Sequence, residues 1–167
     1  MLKLSQYSIS DLVKALVGAS LSIAILLYLT QLSHQLWIMA PFGASCVLLY
    51  AAAQSPLAQP KNVIIGHVVS AAIGLAFAHY ISINIATIAF AVGLAIVSMQ
   101  ILACVHPPAG ANPLLILLSA PSVHYDWDFL VFPVLTGAVI LVVIAQLMHV
   151  LQQRLEKYGE KNASPSL

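Results

Sequence analysis

The chain has 167 residues, of which 61% are hydrophobic and only 7% charged, with a net charge of +1. Soluble domains carry about 25% charged residues, so this composition excludes a water-soluble globule, and so small a net charge excludes a nucleic-acid surface. Cys46 and Cys104 lie in apolar segments without nearby acidic ligands, and read as packing residues rather than a disulfide or metal pair.

Uncharged stretches set the membrane content. No Asp, Glu, Lys or Arg occurs in the 46 residues between Lys14 and Lys61, the 64 between Lys61 and Asp126, or the 25 between Asp128 and Arg154. A crossing needs about 20 residues, so these stretches predict two, three and one crossings, in a single transmembrane domain over 1–158. The N-terminus lacks a charged, short and cleavable apolar leader, so Met1 onward is expected to be mature protein.

Ser10-Asp11 predicts the start of a first helix that runs to about Leu32. A second segment, Trp37 to Gln54, contains the phrase Pro41-Phe42-Gly43-Ala44-Ser45, and Ser55 to Lys61 is a polar, proline-marked turn. Helices follow over Asn62 to Tyr80 and Asn84 to Leu102. The fifth segment, Cys104 to Ala120, contains Pro108-Ala109-Gly110-Ala111-Asn112, a second copy of the phrase 67 residues after the first. A polar, aromatic loop covers His124 to Asp128, and a sixth helix is predicted from Phe129 to about Tyr158. Gly159 reads as its C-cap, with a disordered tail over 159–167.

The two copies define an all-α membrane protein built as an inverted 3+3 repeat, one unit over about 11–80 and the other over about 81–153. Proline and glycine break segments 2 and 5. Extended backbone is expected over Trp37 to Pro41 and Cys104 to Pro108, each followed by a half-helix, the first from Phe42, with their N-termini meeting near the midplane. Irregular backbone at that depth is tolerated only against protein or a water-filled cavity, and matched broken segments point to a transporter's substrate site. Six crossings put Lys3, Lys14, Lys61, Arg154, Lys157 and Lys161 on one side and Asp126 and Asp128 on the other. That pattern predicts a multi-pass protein of the cell inner membrane with both termini cytoplasmic. Re-entrant hairpins are the alternative, and they would move Lys61 to the side of the aspartates.

A helix N-terminus exposes unpaired N–H groups and a partial positive charge. The amides of Gly43, Ala44, Ser45 and of Gly110, Ala111, Asn112 are therefore expected to converge on a small inorganic anion. Close packing of small residues is the competing account of each phrase alone. His106, ahead of Pro107-Pro108, is placed at the mouth of this site, to bond the anion or carry a proton, with a neutral histidine bonded to a neighbouring carbonyl as the competing account. Gly66, Ser70 and Gly74 form a close-packing stripe, and His67 and Ser70 share an adjoining face; a cavity-lining His67 and a packed, hydrogen-bonded one are equal alternatives. Gln100 and Thr136 are weaker lining candidates. His34, His79 and His124 fall beside Trp37, Tyr80, Tyr125 and Trp127 in an aromatic-belt pattern, and neither they nor His149 is assigned chemistry. No metal site or cofactor is expected, and the absence of carboxylates within the spans argues against an intramembrane enzyme.

These residues are similar to those of the HPP family of small integral membrane proteins, named for a motif present here as His106-Pro107-Pro108. The resemblance extends through Pro41 to Ser45, Gly66-His67 and Ala109 to Asn112 and covers roughly Ala40 to Val143. It implies a transport role, and plastid members of the family are associated with nitrite movement. The family is usually described with four spanning helices, two fewer than read here, and the two short segments account for the difference. The expected function is a transporter or channel for a small inorganic anion, nitrite first, in a lipid bilayer, with apolar faces that admit a homodimer. A membrane scaffold or assembly subunit is the alternative.

Overall fold

The computed structural model describes residues 7–33 and 37–163, and it is helical throughout, with no strand among the described residues. Six α-helices follow in order: α1 (Ile9–Ser33), α2 (Ala40–Ala51), α3 (Pro60–Tyr80), α4 (Ile85–Ile101), α5 (Asn112–Ser119) and α6 (Thr136–Ala163). Short 3₁₀ turns precede α3, at Pro56–Ala58, and α5, at Pro107–Ala111. His34 and Lys3 lie outside the described residues.

Local chemistry accounts for most boundaries. Asn84 caps α4 by accepting from the amides of Ala86 and Thr87, while Thr87 Oγ1 accepts from the Asn84 amide, a reciprocal capping box. Pro41 and Pro60 sit in the first turns of α2 and α3, where a missing N–H costs nothing. Among the described residues, three helical stretches are long and apolar enough to cross a membrane: Ile9–Ser33, Pro60–Tyr80 and Trp127–Gly159. Helices α2 and α4 are apolar but shorter.

The sixth segment differs from its expectation at both ends. A 3₁₀ turn, Trp127–Leu130, and a wide turn, Val131–Leu135, come before α6, with Phe132 in extended geometry at φ −127°, ψ 115°. Pro133 supplies the cause, because its ring and missing N–H cannot sit inside a regular helix. At the far end the helix continues through Gly159 to Ala163, so Gly159 is not its C-cap.

The core places α3 at the centre. It packs on α4, α5, α6 and the Pro107–Ala111 turn, while α1 packs on α2 and α6. Phe42, Leu26, Leu75, Ile116, Leu141 and Val134 are fully buried in the main apolar cluster. Burial of each such side chain contributes about 1.5–3 kcal/mol relative to exposure. A Cβ on Gly66 would come within 2.9 Å of the Cys104 carbonyl oxygen and of His106 Cβ, and one on Gly74 within 2.9 Å of Ile116 Cδ1. The stripe on α3 therefore brings segment 5 into backbone contact, and Ser70 between them donates to the Ala109 carbonyl at 2.5 Å.

Charged groups separate between the two ends of α3. Ser10 donates to Glu156 at 2.7 Å and Gln152 to Asp11 at 3.1 Å, tying the start of α1 to the end of α6. Asp11, Lys14, Gln152 and Glu156 share a polar vestibule of about 460 Å³ with Tyr50 and Ser55, at the end where α3 begins. At the other end His79 bonds the Tyr125 carbonyl at 2.9 Å and stacks on Trp127 at 5.7 Å, next to the His124–Asp126 pair. Lys14 and Lys61 thus lie at the opposite end of α3 from Asp126 and Asp128.

Candidate functional site

Helix α2 begins at Ala40, two residues earlier than expected, after Met39 in extended geometry at φ −133°, ψ 146°. The N–H groups that lack an intrahelical partner belong to the cap and first three residues, here Met39 to Phe42, and the Phe42 amide already donates to the Met39 carbonyl at 3.0 Å. The amides of Gly43, Ala44 and Ser45 fall past that point. In the second copy Gly110 and Ala111 lie inside the 3₁₀ turn, and the Asn112 amide donates to the Ala109 carbonyl. Bare amides are therefore not what the two phrases contribute. The backbone closes its own bonds because helix starts one turn earlier than the glycines.

Side chains converge instead. Ser45 and Asn112, the fifth residues of the two copies, are both fully buried, with His67, Ser70 and His106. Ser45 Oγ lies 2.8 Å from His67 Nε2 and 2.9 Å from His106 Nε2. His106 Nδ1 reaches the Leu57 carbonyl at 2.8 Å, and Asn112 Nδ2 lies 3.2 Å from His67 Nδ1 and 3.0 Å from the His67 carbonyl. One hydrogen-bonded chain thus runs from the turn before α3, through both imidazoles, to the first residue of α5. His67 is the eighth and Ser70 the eleventh of the 21 residues of α3, so the chain enters from the basic end and reaches the middle of that helix.

Each ring is fixed by packing. Phe42 stands edge-on to His67 at 5.1 Å, and the two imidazoles meet edge-on at 5.1 Å. Gly66 has no side chain to push His106 aside, and Met99 Sδ closes the same contact. Among the described residues, no carboxylate, lysine or arginine bonds either imidazole. Asn112 Oδ1 is the single buried side-chain polar atom among the described residues without a partner. Leaving such an atom unpaired costs about 1–3 kcal/mol, and this atom accepts only, so it calls for a hydrogen-bond donor.

Several expectations are revised. His106 is not at a mouth but fully buried. Gly43, Ala44 and Ala111 are exposed and Gly110 is half-buried. Ala44 and Ala111, again equivalent positions, share with Pro41, Leu114, Leu115 and Leu118 an apolar groove of about 560 Å³. Gln100 is exposed on α4, and Thr136 Oγ1 donates to the Val131 carbonyl at 2.9 Å, so neither joins the chain. His149 bonds the Leu49 carbonyl at 3.2 Å, away from it. The carbonyls of Leu57 and Pro41 are partners that sequence reading missed, because a backbone oxygen leaves no residue-type signal.

Comparison with known proteins places the fold and these residues in a family. The family described as "HPP, transmembrane region" matches residues 4–158. Two transmembrane proteins of Dictyostelium discoideum are each 34% identical to the chain, one over 134 residues, 77% of this chain and 43% of the relative, the other over 130 residues, 75% and 46%. The chain thus spans less than half the length of these relatives. No solved structure matches it.

Proposed function

Because the chain belongs to the HPP family of integral membrane proteins, we propose that it is a transporter or channel for a small inorganic anion, nitrite first. The supporting observation is the convergence of Ser45 and Asn112, one from each copy of the repeated phrase, on a shared chain with His67 and His106. Two inverted halves meeting at their broken segments would give such a pairing, with cargo handled between them. The polar vestibule opens beside Ser55, two residues from Leu57, and offers an approach from the basic end. The positive-inside pattern makes that end cytoplasmic, with the protein in the cell inner membrane.

In this reading side chains rather than bare amides hold the anion. Ser45, Asn112 and His106 supply the polar atoms, with His67 and Ser70 supporting them, and the small residues Gly43, Ala44, Gly110 and Ala111 leave room for passage. Importing a negative charge against an inside-negative potential costs about 2.3 kcal/mol per 100 mV. The test is uptake by purified protein in proteoliposomes, offered nitrite, nitrate, chloride and formate in turn. Anion-selective uptake is expected, and none above protein-free vesicles would sink the reading.

A second reading has its own observation. The groove between Ala44 and Ala111 is almost wholly apolar, a surface suited to a partner helix or a second copy. A scaffold or assembly subunit would show no flux from pure protein and would tolerate bulky residues at Gly43 and Gly110.

A further inference from the structure

The buried chain of hydrogen bonds has one direction. The Leu57 carbonyl can only accept, so His106 carries a hydrogen on Nδ1, and in the neutral ring Nε2 is a bare acceptor facing Ser45 Oγ. At the other end, the Asn112 nitrogen is identified by its bond to the His67 carbonyl, which also only accepts. That same nitrogen faces His67 Nδ1, which must therefore be bare, so His67 carries its hydrogen on Nε2 and donates to Ser45 Oγ. The Ser45 hydroxyl then has its single hydrogen free to donate to His106 Nε2. The two imidazoles hold opposite tautomers, and every hydrogen in the chain is assigned.

An additional proton fits at one place. On His67 Nδ1 it would face the Asn112 N–H, and turning that amide over would set Oδ1 against the His67 carbonyl. On His106 Nε2 it would face Ser45 Oγ, and the serine has another acceptor waiting: the Pro41 carbonyl, 3.2 Å away. Rotation of the hydroxyl alone lets Ser45 Oγ accept from both imidazoles while donating to Pro41. All partners remain satisfied, and Pro41 opens the first repeated phrase.

We infer that His106 is a proton-binding site and that the Ser45 hydroxyl is the switch that responds to it, so that one proton travels with each anion. The inference rests on the anion-transport reading above, and it makes that transport electroneutral. The groups around His106 suit the role. From α3 it faces His67, and Lys61 of that helix is exposed; Cys46 of α2 follows Ser45; Cys104 precedes it on its own segment; and the turn before α3 presents only the Leu57 carbonyl. None of these is a carboxylate that would neutralise the ring, so a protonated His106 is left to balance the anion.

The test has two readouts on the full chain in proteoliposomes. Nitrogen-15 NMR of labelled histidine, assigned with His67→Gln and His106→Gln, is expected to show hydrogen on Nδ1 of His106 and Nε2 of His67. Acidification is expected to protonate both nitrogens of His106 while His67 stays neutral; identical tautomers, or protonation of His67 first, would overturn the inference. Nitrite uptake, above protein-free vesicles, is expected to acidify the lumen by one proton per anion and to be indifferent to an imposed potential. Potential-driven nitrite influx without proton movement would overturn the coupling while sparing the anion reading. The expected tautomers with no nitrite, nitrate, chloride or formate uptake would overturn the anion reading and the coupling, and confirm only the proton site.

Discussion

Ser45 and Asn112 flank one imidazole: Ser45 Oγ lies 2.8 Å from Nε2 of His67, and Asn112 Nδ2 lies 3.2 Å from its Nδ1. Each residue ends its own copy of a phrase repeated 67 residues apart. The repeat is thus joined through a side chain that belongs to neither copy, on the central helix α3. A shift of the same interval carries the first residue of α2, Ala40, onto Pro107, where the 3₁₀ lead into α5 begins, and Pro60 onto Trp127. These two boundaries coincide under the shift although the helix types differ.

The serine is the branch point of the network, so its removal is expected to be costly. Ser45→Ala leaves the His67 Nε2 hydrogen and the His106 Nε2 lone pair without their common partner. Each unmet buried group costs about 1–3 kcal/mol. Thermal unfolding in detergent is expected to show a clear drop in midpoint, and a midpoint equal to that of wild type would show that the distances misstate the bonding.

Gly66 tests the close approach of α3 to segment 5. In Gly66→Ala the new methyl would press on the Cys104 carbonyl and His106 Cβ at 2.9 Å each. Overpacking of this kind costs about 1–3 kcal/mol, and here it also displaces an imidazole. A lowered unfolding midpoint with reduced nitrite flux is the expected result. A variant as stable as wild type would mean that the helices separate freely at this contact.

Gly43 and Gly110 behave in the opposite way. A Cβ at either position meets nothing within 4 Å, and neither glycine has a positive φ. Gly43→Ala inside α2 is expected to stabilise the helix by about 0.5–1 kcal/mol, read as a raised unfolding midpoint. Gly110→Leu is expected to fold and to block flux, since its side chain enters open space on the line of passage. Full flux in folded Gly110→Leu would favour the scaffold reading.

Away from the site, Ser22 and Tyr50 join α1 to α2 through a buried hydroxyl pair at 2.7 Å. Tyr50→Phe strands the Ser22 hydroxyl and is expected to cost about 1–3 kcal/mol. The double variant with Ser22→Ala removes both groups and is expected to recover part of the loss, a coupling that a double-mutant cycle measures directly. Strict additivity of the two single changes would rule the bond out as a stabilising contact.

The helices were legible because their signals are local. Asn84 before an apolar run satisfies terminal N–H groups within a few residues, and Ser10-Asp11 marked the first turn of α1, where Ser8 and Asp11 exchange backbone-to-side-chain bonds. The kink at Phe132 was not read, because the apolar run on both sides of Pro133 looks like one continuous helix. The start of α2 was misplaced by two residues because proline reads equally as a helix breaker and as a first-turn residue, and that shift, with the 3₁₀ turn that takes up the second copy, removed the amide cradle.

Composition and hydropathy by themselves determined a helical membrane chain, and the duplicated phrase singled out Ser45, His106 and Asn112, with His67 on a neighbouring stripe. Those are properties of residue type and spacing, which a sequence carries in full. Only the tertiary structure decided how they combine: that Gly66 lets segment 5 press against α3, that Leu57 and Pro41 supply carbonyls, and that Gln100 and Thr136 turn elsewhere. Hydrogen-bond direction depends on which lone pair faces which hydrogen across packed helices, and no one-dimensional pattern encodes that.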